Sequence, residues 1–178
     1  SVAMDPIEKK PLYHFYPGKD VLSLGTVGCN LKCSFCQNFS ISQEEAPTRE
    51  LRPAEAVRLA KEQGANCIGL AYTYSEPLMW YEYVLDTIGL AKAAGLKNVL
   101  VTNGFIQPEP IKELLPVIDA LNVDVKAFQE NYYHQCGTYY FDGARSQRFS
   151  GRNTGPNELD RRPFLGDTTS SQPLLSPI

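Results

Sequence analysis

Gly28-Cys29-Asn30-Leu31-Lys32-Cys33-Ser34-Phe35-Cys36-Gln37-Asn38 places three cysteines on one short loop, with three residues between the first pair and two between the second. Thiolates held this close can wrap one face of a compact metal centre, and an iron-sulfur cluster is its natural occupant. A four-ligand site, such as a ferredoxin cubane or a structural zinc, needs a fourth cysteine or histidine, and none follows at a suitable spacing. Three thiolates on a [4Fe-4S] cubane leave the fourth iron free to take a small-molecule ligand, which suits a reactive cluster better than an electron-transfer one.

Working outward, Val21-Leu22-Ser23-Leu24-Gly25-Thr26 delivers the chain to Gly28 as a short apolar run, the pattern of a strand buried on both faces. Residues 1–19, rich in Pro, Lys and aromatics, read as an extended lead-in, and Ser1 is no initiator. Downstream, Ile41 to Glu50 is polar and contains Pro47, as a loop does. Pro53 opens a helix that Gly64 closes, and Cys67 to Thr73 forms a second strand. Leu78 to Ala94 carries Trp80, Val84, Ile88 and Ala91 at helical spacing and stops at Gly95. Asn98 to Thr102 is a third strand, Pro108 and Pro110 start a helix through Leu115, and Leu121 to Val125 is a fourth strand. Strands alternating with helices predict parallel pairing, with the chemistry gathered at the carboxyl ends of the strands. The cysteine loop, Ser75-Glu76, Asn103-Gly104 and the Asp124/Lys126 pair all fall at such ends.

From about Gly137 the character changes. Residues 143–178 are rich in Arg, Ser, Asn, Thr, Gly and Pro and hold neither a period of 2 nor one of 3.6, so 138–178 is expected to be an irregular or disordered tail, natural or frameshifted, after a core over 20–137. A chain of 178 residues with this apolar content supports one domain with a sizeable core. The formal charge of -3 gives no basic stripe, which disfavours nucleic acid as an electrostatic partner. No stretch approaches the roughly 20 apolar residues of a membrane span. With no secretory pattern at the start, five cysteines point to metal or catalysis in a reducing cytoplasm rather than to disulfides.

Cys29, Cys33 and Cys36, with Phe35 in the aromatic slot, resemble the CxxxCxxC signature of radical S-adenosylmethionine (SAM) enzymes. The words KPLYHFYPG (10–18), AYTYSEP (71–77) and VTNG (101–104) resemble the AmmeMemoRadiSam-system group, which is similar to the pyruvate formate-lyase activating enzyme. The resemblance covers roughly Asp5 to Gly137. It implies an α/β fold, a partial (βα) barrel of radical SAM type with about four βα units present. It implies two cofactors, a [4Fe-4S] cluster on Cys29, Cys33 and Cys36 and SAM at the open iron. An external one-electron reductant, flavodoxin- or ferredoxin-like, would drive cleavage of SAM to a 5′-deoxyadenosyl radical that abstracts hydrogen from a small-molecule or protein substrate. Glu76 stands where the family carries the acid that receives the SAM amino group, with Tyr74 and Ser75 replacing two glycines. Asn103 belongs to the word beside the SAM ribose and carboxylate, the backbone near Phe35 would meet the adenine, and Asp124 and Lys126 resemble the Asp-x-Lys word of the corresponding strand, Lys126 meeting the SAM carboxylate. Val101 replaces an aspartate of the activating enzymes, so any alkali-cation contact from that position is lost.

Each assignment has a plainer alternative. The cysteines could hold zinc, completed by His14 or Cys136, in a non-catalytic metal-binding fragment; a glycyl-radical-enzyme activating protein is a further enzymatic reading. Glu76 could be a helix-start acid, Asn103-Gly104 an ordinary turn, and Asp124/Lys126 an inward-facing ion pair. Cys67 reads as a small core residue, Cys136 carries little weight, and Tyr72 and Tyr74 are candidates to line the pocket.

Overall fold

The computed structural model describes residues 1–129 together with Tyr132, Tyr133 and Cys136; the expected tail over 138–178 lies outside the described residues. The strands are β1 (Val2–Pro6), β2 (Asp20–Leu24), β3 (Cys67–Tyr72), β4 (Lys97–Thr102) and β5 (Ala120–Val123). They form one open sheet in the order β1-β2-β3-β4-β5. The last four pair in parallel, as the alternation of strand and helix predicts, while β1 is antiparallel to β2. The helices are α1 (Phe39–Ser42), α2 (Pro53–Glu62), α3 (Tyr81–Ala93) and α4 (Pro108–Leu114). Pro53 and Pro108 occupy first-turn positions, and Gly64 and Gly95 take positive φ where α2 and α3 end.

Two readings shift locally. The polar stretch expected as a loop from Ile41 begins with the last two residues of the one-turn α1, and the long helix expected from Leu78 starts as a 3-10 turn over Pro77–Trp80 before α3. Among the described residues, no helix is long and apolar enough to cross a membrane.

Alternation along the strands divides the core into two layers. Leu22, Leu24, Leu70, Tyr72 and Leu100 face Val57, Ala60, Val84, Ile88 and Ala91 of the helices. Tyr72 therefore packs under α3 with its hydroxyl donating to Asn98 Oδ1 at 3.0 Å, and it does not line a pocket. Val21, Ala71, Val99 and Ala120 face the other way, and Ile7 and Leu12 of the lead-in cover them. The lead-in thus adds an edge strand and then covers the face of the sheet opposite the helices.

A buried ion pair fastens that plug. Asp5 accepts from Lys10 Nζ at 2.8 Å and Lys9 Nζ at 2.6 Å, and from the Tyr74 hydroxyl. Burial alone would raise the Asp5 carboxyl, but bonds from Lys10, Lys9 and Tyr74 outweigh it and hold it well below the usual carboxylate range. A depressed carboxyl contributes stability above the unfolded value of about 3.9, and that contribution is lost as pH falls towards the folded value. The expected outcome is that the melting temperature drops less between about pH 6 and about pH 3 in Asp5→Asn than in the wild type, as read by circular dichroism melts.

Candidate metal and cofactor site

The cysteine loop leaves the carboxyl end of β2 through Gly25 and Gly28. A Cβ at Gly25 would stand 2.8 Å from the Thr73 carbonyl oxygen, so only glycine lets the loop pass the end of β3 this closely. Gly28 takes φ +103°, and its N–H donates to the Ile41 carbonyl at 2.8 Å, closing the loop against α1. Leu31 is buried at the loop's centre, and its carbonyl accepts from Gln43 Nε2 at 2.7 Å.

All three loop cysteines belong to one apolar cluster with Leu31, Phe105, Tyr132 and Tyr133. Their sulfurs meet protein donors. Leu31 N–H lies 3.4 Å and Asn103 Nδ2 3.8 Å from Cys29 Sγ, and Ser42 Oγ lies 3.1 Å from Cys36 Sγ. Burial pushes the Cys29 thiol up, and burial followed by its neighbour Cys136 pushes Cys33 up to about 11. Such thiols stay protonated on their own and become thiolates when a metal supplies the compensating charge. The donor set is three soft sulfurs with hydrogen-bond donors already aimed at two of them, which fits an iron-sulfur cluster. Among the described residues, no three His, Cys, Asp or Glu side chains are drawn closely enough together to hold a single metal ion.

The fold brings a fourth thiol up to the loop. Cys136 is buried against Cys33, and its carbonyl accepts from Lys32 N–H. His14 is exposed. Cys67 is buried in β3, its thiol facing the Gly69 carbonyl at 3.5 Å, as a core residue.

Glu76 follows β3 and is 3 % exposed. One carboxylate oxygen accepts from Thr102 Oγ1 at 2.6 Å and Leu78 N–H at 3.1 Å, and the other from Asn103 N–H at 2.8 Å. It therefore caps the turn before α3 and also staples the ends of β3 and β4 together. Burial raises its carboxyl above the ordinary value, against the lowering effect of Asn103, Thr102, Leu78 and Lys126. Beside it the Ser75 hydroxyl is buried with no protein partner in hydrogen-bond reach. Tyr74 adopts φ +71°, a glycine-like conformation in a residue with a Cβ. The Tyr74–Asp5 bond and a 2.9 Å bond from Asn38 Nδ2 to the Tyr74 carbonyl hold it there, so the backbone keeps a glycine's shape without a glycine.

The Asn103 side chain bridges two segments of the rim. Its Nδ2 donates to Asn30 Oδ1 at 2.8 Å, and its Oδ1 accepts from Phe105 N–H at 2.8 Å. Asn30 in turn donates to the Phe105 carbonyl at 2.6 Å. The amide thus ties the cysteine loop to the end of β4.

Asp124 and Lys126 lie past the last residue of β5, so strand alternation does not place them, and Asp124 is exposed. They form an ion pair, and Lys126 Nζ sits 6.0 Å from the centre of the Phe35 ring. Burial works against the Lys126 charge, but Asp124 and the Cys33 and Cys29 sulfurs outweigh it and hold the ammonium above its ordinary value. Phe35 is 52 % exposed and its ring centre lies 6.2 Å from that of Tyr132. The cysteine loop, Glu76, Asn103 and Lys126 thus share one rim of the sheet, as the ends of the parallel strands require. The contacts of Thr102, Asn30, Ser42 and Cys136 escape sequence reasoning because they depend on how distant segments meet.

Comparison with known proteins gives the same picture. Over 139 residues the chain is 48% identical to an uncharacterised protein of Methanocaldococcus jannaschii, an alignment spanning 76% of this chain and 40% of that one. A second protein of that organism, provisionally named a glycyl-radical enzyme activating enzyme, is 29% identical over 119 residues, 66% of this chain and 48% of its own. The chain therefore spans less than half the length of either relative. The fold is similar to the crystal structure of QueE from Escherichia coli, with a TM-score of 0.54 at 14% identity over 75% of this chain and 61% of that one. At that identity the likeness speaks for the fold alone, and it makes the open α/β sheet a partial (βα) barrel. Residues 23–145 match the sequence pattern of the radical SAM superfamily. With most of its length in that match and its three cysteines on the rim of a partial barrel, this chain belongs to the radical SAM superfamily.

Proposed function

We propose that this chain carries the cluster- and SAM-binding half of a radical SAM active site that abstracts hydrogen from a substrate. The observation that carries the reading is the meeting of the loop cysteines with Glu76 and Asn103 at one rim, through the Asn103–Asn30 and Asn103–Glu76 bonds. When bound, the [4Fe-4S] cluster and SAM supply reductive carbon-sulfur cleavage and a 5′-deoxyadenosyl radical.

The rest falls to the chain's own groups. Cys29, Cys33 and Cys36 would hold the cluster. Glu76 would accept from the SAM ammonium with the lone pairs its three protein donors leave free, and the unpartnered Ser75 hydroxyl stands next to it in the chain. Lys126 would meet the SAM carboxylate and Asp124 would orient Lys126, while the backbone at Phe35 would meet the adenine. Asn103 positions the loop. The lead-in of residues 1–19 belongs to this core, over 20–137, because it covers the sheet face opposite the helices. The setting that suits these parts is the cytoplasm, with a flavodoxin- or ferredoxin-like reductant and a small-molecule or protein substrate. The name of the relative that is 29% identical favours, as a second reading, activation of a glycyl-radical enzyme, whose substrate is a backbone glycine of a partner.

Anaerobic reconstitution with iron and sulfide tests the proposal. A brown protein whose cluster EPR signal changes on adding SAM is the expected result. A colourless protein that takes up zinc but no iron would return the loop to a structural metal site.

A further inference from the structure

We propose that the Ser42 hydroxyl donates a hydrogen bond to the cluster ligand Cys36 and so raises the reduction potential of the iron-sulfur centre. The inference rests on the reading of Cys29, Cys33 and Cys36 as cluster ligands. Ser42 Oγ lies 3.1 Å from Cys36 Sγ, the shortest contact from a donor among the described residues to any of the three sulfurs, and the side chain is 7 % exposed.

The surrounding backbone fixes that position. Ser42 N–H donates to the Asn38 carbonyl at 3.0 Å, and Gly28 N–H donates to the Ile41 carbonyl at 2.8 Å. The next residue, Gln43, reaches back to the Leu31 carbonyl at 2.7 Å. The single turn of α1 is thus tied to the start, the middle and the end of the cysteine loop, and Ser42 moves with Cys36. The hydroxyl has one other acceptor, the Phe39 carbonyl at 3.5 Å, at the outer edge of hydrogen-bond reach.

With both groups protonated, either could donate. A sulfur bound to iron carries no proton, so in the loaded protein only Ser42 can. The change needs no backbone movement, because the hydroxyl hydrogen turns from the Phe39 carbonyl to the sulfur. A donor on a ligand sulfur draws off negative charge and favours the reduced, more electron-rich cluster over the oxidised one. Ser42 therefore makes the cluster easier for a one-electron donor to reduce. It is a positioning residue, acting on the centre through Cys36.

The test uses the full chain, reconstituted anaerobically with iron and sulfide, and reads the cluster's midpoint potential by EPR-monitored redox titration. Ser42→Ala should keep its iron and titrate at a lower potential than the wild type, while Ser42→Thr, which retains the hydroxyl, should stay near it. Loss of iron from Ser42→Ala alone, with retention in Ser42→Thr, would support the same bond as one that also keeps the cluster in place. An unchanged potential in Ser42→Ala, or equal shifts or equal iron loss in both variants, would overturn the inference and leave Ser42 as packing. Failure of the wild type itself to form an iron-sulfur cluster would sink the cluster reading, and this inference with it.

Discussion

Alanine at Cys29, Cys33 or Cys36 is expected to leave the reconstituted protein without a stable cluster, while Cys67→Ala keeps the wild-type iron and sulfide content. A cubane held by three thiolates has no spare protein ligand, so loss of one exposes a second iron and the cluster falls apart. Cys67 sits in β3 among core side chains with its thiol against the Gly69 carbonyl, and trimming it removes only a small buried group. Cys136 makes the experiment decisive, because it is buried against Cys33 and is the only described thiol that could complete a four-sulfur site. On the three-thiolate reading, Cys136→Ala retains the cluster and its response to SAM. If Cys136→Ala strips iron as thoroughly as Cys33→Ala, the site is closed by four sulfurs and has no iron free for SAM. Iron and sulfide counts with the visible spectrum of each variant provide the measurement.

Glu76→Gln is expected to weaken SAM binding roughly ten- to hundredfold and to lower the stability of the protein before any ligand is added. The carboxylate accepts from Thr102, Leu78 and Asn103, all donors. An amide keeps one accepting oxygen and turns an NH2 towards a donor on the other side, losing a bond to a charged group worth about 1.5–3 kcal/mol. A SAM ammonium facing the same amide loses a charge-assisted partner of similar worth. The two effects separate experimentally, since a thermal melt of the apoprotein reads the first and a SAM titration of the cluster EPR signal reads the second. A lower melting temperature with unchanged SAM affinity would leave Glu76 as the cap and staple it visibly is, and would remove it from the ligand site.

The sequence by itself determined the alternation of strands and helices, the helix ends marked by Pro53, Pro108, Gly64 and Gly95, and the short loop that carries three cysteines. These features rest on spacing, turn chemistry and burial pattern within short stretches, which a chain encodes locally. It also placed the polar words at one rim, because parallel strands all end on the same side. Only the tertiary structure decided what those words touch. Asn103 meets Asn30 across 73 residues, Glu76 meets Thr102 across 26, and Tyr74 keeps a glycine's conformation because Asp5, 69 residues earlier, holds its hydroxyl. The edge strand and plug of the lead-in, the Ser42 donor on Cys36 and the Cys136 thiol on Cys33 belong with them. Each is a hydrogen bond or packing contact that forms only once strand register and loop path are set, and hydrophobic periodicity specifies which face is buried without specifying which polar groups meet above it.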